Sequence, residues 1–442
     1  MNLIRRGTTI NNVLRKVMWV VSLLTWGLAS VATAGPICER SKAVIKALEG
    51  RLNLKCQFIA EHDLQEIAGL YITPTSPMIL KSDDLVGLTN LKNLVLVATG
   101  SATGLPDGFW GPVSSTLEAL NLTLTTKTLP SNTLEGLSHL KFLDLTLPEV
   151  VELNGGIFTE LSSLNELHFR TLSIGSLPID LLDGLGELKV LSFEQSDIGN
   201  LSKGLLSPVP NLEIFTMWSS KSGKHALKSI DSQFFAGLKS LRAIHVSDHK
   251  LLTIPSDLFQ GLDNLESINF RDGPLIALSC DQFRGLKKLR LLNLSLTDIR
   301  TFKLAWLLDS AKTLEHLTID HLPLNTELDI YQIRVFKKLR YLIMADINLT
   351  HIPAGAFGAL SRLESISLSG NLISVLPDDF LAQSRKVQMV DIGHNPIHRI
   401  QNSTLFSKLS SLKYLNLPAT LWDDDFEKIK DALPTTVLVD RH

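Results

Sequence analysis

The residues here able to do chemistry that also share a spacing rule are His168, Arg170, Glu194, Trp218, His245, Asn269, Arg271 and Asp320. Each stands at a variable position between fixed apolar ones, in segments that recur about every 24 residues. Trp and Arg are the side chains that most often anchor protein interfaces. His, Glu and Asp could instead serve acid–base or metal chemistry, but the spacing disfavours that. His168 and His245 fall three segments apart, ~14 Å at strand spacing, too far to share a metal. His316 and His321 are five residues apart, which is not helical ligand spacing. The sequence holds no Gly-x-Ser-x-Gly elbow, no phosphate-cradling Gly/Lys loop and no zinc-spaced cysteine pair within the segments. The expected chemistry is therefore recognition by a surface, without catalysis, metal or cofactor. For single residues the plainer reading is a solvated sheet face, with Arg170 and Glu194 pairing across neighbouring strands.

The elements that must position these residues come from one pattern: apolar, two variable, apolar, one variable, apolar. It opens at Ile67/Leu70/Ile72 and runs through Leu91/Leu94/Leu96 and Leu265/Ile268/Phe270 to Leu412/Leu415/Leu417, fifteen times in all. Units start 23 to 29 residues apart, most of them 24 or 25. A fixed period of this length means stacked units that cannot bury an apolar face alone. Within x-Leu-x-Leu-x the apolar side chains point inward and the variable ones outward, as on a strand. Fifteen stacked strands give one parallel sheet, an arc of roughly 70 Å at ~4.8 Å per step. The middle outward column reads Asn121, Asp144, His168, Ser192, Thr216, His245, Asn269, Asn293, Thr318. Phe109, Phe158, Phe235, Phe259, Phe283, Phe357, Phe380 and Phe406 recur before a Leu or Gly-Leu pair and predict a packed convex spine. Pro106, Pro130, Pro178, Pro255, Pro353 and Pro377 separate strand from return segment.

Residues 1–34 read as a signal peptide: basic Arg5, Arg6, Arg15 and Lys16, an apolar stretch Val17–Ala29, and Ala32-Thr33-Ala34 as a cleavage site. The alternative is an uncleaved anchor, for which the stretch falls short of the ~20 residues a span needs. No second long apolar run follows, so the mature chain is expected to carry no transmembrane segment and to be secreted, periplasmic or held at a surface by partners. The formal net charge is −2 and becomes more negative without the leader. That balance argues against a nucleic-acid partner. Cys38 and Cys56 bracket an amphipathic segment with Val44, Ile45 and Leu48 at helical spacing. In an oxidising compartment they predict a disulfide rather than two buried thiols, worth roughly 3 kcal/mol. Cys280 is left over and is expected to be a small buried apolar residue.

Units such as Leu363-Glu-Ser-Ile-Ser-Leu-Ser-Gly-Asn371 and Val387-Gln-Met-Val-Asp-Ile-Gly-His-Asn395 resemble the leucine-rich repeat family, over about 370 residues from Ile67 onward. The resemblance implies an α/β solenoid: a horseshoe with its parallel sheet on the concave face, about 15 repeats, and helical caps at both ends. Pro and Phe at these spacings look like the class found in extracellular proteins. The family's Asn, which ties neighbouring turns together, is present at Asn371 and Asn395. Thr125, His249, Gly273, Thr297, Leu322 and Ile347 stand near that place elsewhere, so bonding between turns should be weaker or differently met there. Residues 37–72, with two cysteines where animal ectodomains usually have four, look like the helical lead-in of secreted bacterial members. The division expected is a leader over 1–34, an N-terminal cap over 35–66, repeats over 67–420 and a C-terminal cap over 421–442. The cap should hold a helix from Trp422 to Ala432 and a last strand over Thr436–Val439.

One unit departs from the rest, with 29 residues between Leu212 and Leu241. The excess falls around a basic loop containing Lys221, Lys224, His225 and Lys228, either a contact element or a tolerated insertion. Five Asn-x-Ser/Thr triplets occur, at Asn121, Asn200, Asn293, Asn348 and Asn402, and in a bacterial protein they would be coincidence. The function expected is a secreted, non-enzymatic scaffold binding a protein or cell-surface ligand through the concave strip. The alternative is a structural or adhesive component of a cell surface or matrix.

Overall fold

The computed structural model describes residues 36–73, 79–99, 105–171, 174–219, 226–400 and 402–442. The expected leader and the loop residues Lys221, Lys224 and His225 lie outside these. Among the described residues, sixteen strands form one sheet, each parallel to its neighbours and ordered as in the chain, from Gly69–Ile72 to Leu438–Arg441. Fifteen of them match the fifteen apolar units. The sixteenth, expected over Thr436–Val439, runs two residues later and pairs with Tyr414–Leu417, where it covers the sheet edge. The fold is the α/β leucine-rich repeat solenoid that the pattern implied.

The first apolar residue of each unit is buried in every case, and the strands alternate buried and outward residues. The predicted Phe residues of the convex side are all buried. Through the middle of the solenoid the rings meet edge to face, Phe158–Phe169 at 6.3 Å, Phe169–Phe193 at 6.2 Å and Phe193–Phe215 at 6.1 Å. In the Phe-x-Gly-Leu turns, Gly237, Gly261 and Gly285 take φ of 84°, 78° and 83°, a conformation that explains the glycine.

The N-terminal cap is a helix, Lys42–Leu52, tied down by the Cys38–Cys56 disulfide. A feature not visible in the sequence joins it to the repeats. The buried carboxylate of Asp84 accepts the Ser41 amide and hydroxyl, both at 2.7 Å, and the Lys81 amide at 2.8 Å. At the other end the helix is Asp423–Asp431, where buried Asp425 accepts the Ile400 amide at 3.3 Å. Cys280 is exposed, contrary to expectation. It opens a short 3₁₀ turn, Cys280–Phe283, whose inward side chains are Gln282 and Phe283.

The tie between turns is built where predicted. Asn371 Oδ1 accepts the amides of Ile347 and Leu349, and its Nδ2 donates to the carbonyls of Met344 and Leu368. Asn395 does the same between Ile373, Leu368 and Ile392. His249 occupies that position in the eighth of the fifteen units, buried, with Nδ1 accepting the Leu251 amide at 3.2 Å. Its ring fills the place where a Cβ on Gly273, the equivalent residue one unit on, would sit. The two departures from Asn are thus one compensated pair. Burial lowers the His249 pKa to about 4, so the ring is neutral at pH 7.

The long unit pairs with the unit before it in a separate two-stranded sheet, Ser229–Ile230 with Asn200–Leu201. The Lys228 amide donates to the Gly199 carbonyl at 2.8 Å, and its side chain is exposed.

Candidate concave recognition surface

Strand register places the outward residues in columns. Asp144, His168, Ser192, Thr216, His245 and Asn269 follow one another in the middle column. Thr146, Arg170, Glu194, Trp218, Ser247 and Arg271 follow in the next. His168 and His245 are three strands apart, as the spacing required.

The structure joins three of the expected residues into one network with two that lie beside them. His168 donates from Nε2 to Glu166 at 2.6 Å and from Nδ1 to Glu194 at 2.9 Å. Both nitrogens can donate only when the ring is protonated. Burial opposes that charge, but the hydrogen bonds and charges of Glu166 and Glu194 outweigh it and raise the His168 pKa. The stabilisation is complete below the ordinary value of 6.5 and is lost as pH rises through the raised value. Arg170 donates to Glu194 at 2.6 Å and also pairs with Asp144. Those bonds, Asp144 first, raise the Arg170 pKa. Burial pushes Glu194 up, but the bonds from His168 and Arg170 hold it below the usual range. Glu166 escaped the sequence reading because it sits at the first outward position of its strand. Its signal was the two-residue spacing to His168 on the same face.

Trp218 lies between Glu194 and Ser247 and is half-buried. Beyond it, the His245 Nε2 meets the Ser267 hydroxyl at 2.9 Å, and burial lowers the His245 pKa. Asn269 lies between His245 and Asn293. Arg271 is exposed and pairs with Asp272 at 2.7 Å. Asp320 stands apart, five strands from Glu194 at the network's nearer edge, and bonds His321 at 2.8 Å. The eight residues are therefore a tight group of three around Glu194, a neighbouring group around Trp218 and His245, and one outlier.

A second electrostatic feature went unread in the sequence. From the unit opening at Leu91 to the one opening at Leu363, the residue after the first apolar position alternates in sign with one neutral step at Asn165: Lys92, Glu118, Lys141, then Lys189, Glu213, Arg242, Glu266, Arg290, Glu315, Arg340, Glu364. Along the strand-entry edge these side chains pair in sequence. Lys92 and Lys141 meet Glu118 at 3.1 and 2.9 Å, Arg242 meets Glu266 at 3.0 Å, and Arg290 meets Glu315 at 3.1 Å. Arg340 meets Glu364 at 2.8 Å. The pairs are largely exposed, so each one contributes little to stability.

No group of three or more His, Cys, Asp or Glu residues that could hold a metal occurs among the described residues, and none of their helices is long and apolar enough to cross a membrane.

Comparison with known families gives two matches. The family described as leucine rich repeat matches residues 337–397, and the BspA type leucine rich repeat region matches residues 222–322. No curated protein sequence matches the chain. Among solved structures, a leucine-rich repeat protein of Leptospira interrogans superposes with a TM-score of 0.64 at 22% identity, covering 86% of this chain and 97% of that one. An internalin of Listeria monocytogenes gives 0.56 at 15% identity, covering 87% and 97%. Toll of Drosophila, solved in complex with Spatzle, gives 0.56 at 17% identity, covering 81% of this chain and 44% of that one. At such identities the likeness is one of fold.

Proposed function

Since the chain is a leucine-rich repeat protein with a disulfide-tied helical cap, we propose that it is an extracellular, non-enzymatic recognition scaffold. Its partner is a protein, and the contact is the concave face between the strands Glu166–Thr171 and Ser267–Arg271, with the basic Lys221–Lys228 loop as a second contact element. One observation carries the reading. Across adjacent strands, five ionised or ionisable side chains hold one another in fixed positions next to a half-buried tryptophan. Charges already ordered in the free protein cost less conformational entropy to engage, and a mixed-charge array discriminates between partners more than it adds raw affinity. The aromatic ring supplies the anchor. Export is supported by the leader pattern and by the disulfide, which persists in oxidising compartments. Toll, a structural neighbour, was solved bound to a protein, and another neighbour, TLR13, was solved with single-stranded RNA. The negative charge of this chain favours the protein.

The test is capture of partners from the native extracellular fraction with the mature chain, followed by affinity measurement on Trp218→Ala and Arg271→Ala. Each is expected to weaken binding at least tenfold. Capture that withstands both substitutions, and fades only as repeats are removed from either end, would mark an adhesive surface acting along the whole arc.

A further inference from the structure

Where the N-terminal cap meets the first strands, the concave face opens into a cavity of about 600 Å³, within the range of small-molecule sites. The helix Lys42–Leu52 presents Lys46, Ala47, Gly50 and Arg51 to it, positions that share one face of a helix. The opposite wall is apolar, with Tyr71, Val95 and Phe142, and Asn93 and Asn121 stand between as donors.

Two observations set this cavity apart from an accidental gap. Gly50 has no conformational reason to be glycine, since its φ is not positive. It has no steric reason either, because a Cβ there meets nothing within 4 Å. A glycine inside a helix costs roughly 0.5–1 kcal/mol against alanine, and the fold gains nothing visible for it except open space over the cavity. The second observation is charge. Three cations around the cap are engaged elsewhere, Lys55 with Glu49 at 3.3 Å, Arg40 with the Asp84 carbonyl at 3.0 Å and Lys92 with Glu118 at 3.1 Å, while Lys42 is exposed on the helix away from the cavity. Lys46 and Arg51, both over the cavity, have no ion-pair partner among the described residues, and no carboxylate lines the cavity.

We infer that this cavity is a binding site for a small anionic amphiphile, whose carboxylate or sulfonate lies between Lys46 and Arg51 while its ring or short chain lies against Tyr71 and Phe142. The site does not depend on the protein partner proposed above. It borders that surface, because the Asn121 amide donates to Asp144 at 3.2 Å and Phe142 packs on the His168 ring at 5.5 Å.

The probe is 8-anilinonaphthalene-1-sulfonate, titrated into the full chain and followed by fluorescence, with decanoate as competitor. One saturable site displaced by decanoate is expected. Gly50→Leu, which fills the opening, and the pair Lys46→Glu with Arg51→Glu should each weaken binding tenfold or more. Lys42→Glu, an exposed cation on the same helix outside the cavity, should leave it unchanged. Gly50→Ala reports on folding, since it should raise the melting temperature slightly. Binding that stays at the parent affinity in Gly50→Leu and in the double reversal, or a parent with no saturable site, overturns the inference.

Discussion

The solenoid is built to one apolar rule but turns its strands off in two ways. In the units opening at Leu91, Leu117, Leu140 and Leu164 the strands are six residues long, from Asn93–Ala98 to Glu166–Thr171. Their last residues, Ala98, Leu124, Leu147 and Thr171, keep the alternation and point inward. From Leu289 on, the strands are three residues, Leu291–Asn293 through Met389–Asp391. There the residue at the equivalent place is left-handed: Leu296, His321, Asp346, Gly370 and His394 have φ between 52° and 67°. That one turn shifts the phase, so the left-handed residue faces solvent and the next one, Thr297, Leu322, Ile347, Asn371 or Asn395, is buried. The lesson is that bonding between turns through a buried Asn needs the left-handed residue before it. Where Ala98, Leu124, Leu147 or Thr171 stands at that place, the strand continues and the backbone ladder does the work instead; Leu296 is the apolar residue that turns left-handed all the same.

The sharpest way to break the comparison is to remove the buried tie. Asn371→Ala leaves two amides and two carbonyls without their partner and should cost about 4 kcal/mol by urea denaturation. Ser196→Ala, at the equivalent place in the transitional unit, removes a hydroxyl bonded to the Phe169 and Glu194 carbonyls and should cost about 1.5 kcal/mol. Equal costs would refute the two-region reading.

Gly273→Asn alone should cost about 3 kcal/mol, because the new side chain overlaps the His249 ring. In combination with His249→Asn it should recover most of that, and a double-mutant cycle measures the coupling. An additive result would mean the two residues are independent. The same histidine sets an acid limit. Its folded pKa of about 4 lies below the ordinary 6.5, so the unfolded chain binds the extra proton and stability falls as pH drops from 6.5 towards 4. The melting temperature of the parent should decline over that window more steeply than that of the double Asn variant. Smallest is Leu296→Gly. Leucine at φ 56° is strained and its side chain is 47% exposed, so the change should raise stability by about 1 kcal/mol in thermal melts.

Much of this was legible in the sequence, for definite reasons. Burial at fixed spacing wrote the strands, the spine and Asn371 and Asn395 into the apolar pattern, and the outward columns followed from strand alternation. The phase shift was also written, in the Asp, Gly and His residues that tolerate a left-handed backbone, set against Leu124 and Leu147. What could not be read were contacts between residues far apart in the chain or one unit apart. Asp84 pins Ser41 across 43 residues, and the bulk of His249 is matched by the absence of a side chain at Gly273. The depth of Trp218 and the exposure of Cys280 depend on how neighbouring strands and turns tilt, which no spacing states.

The alternating charges on the strand-entry edge impose a parity on the length of the molecule. Deleting residues 265–288, one unit, would set Arg242 beside Arg290, like against like. Deleting residues 265–313, two units, would set Arg242 beside Glu315 and leave the alternation intact. The shorter deletion should therefore be the one that gains stability on adding salt, which screens repulsion between exposed charges. Asn165, neutral between Lys141 and Lys189, keeps the rhythm without a charge of its own. A chain of this kind can be lengthened or shortened without electrostatic penalty only two turns at a time.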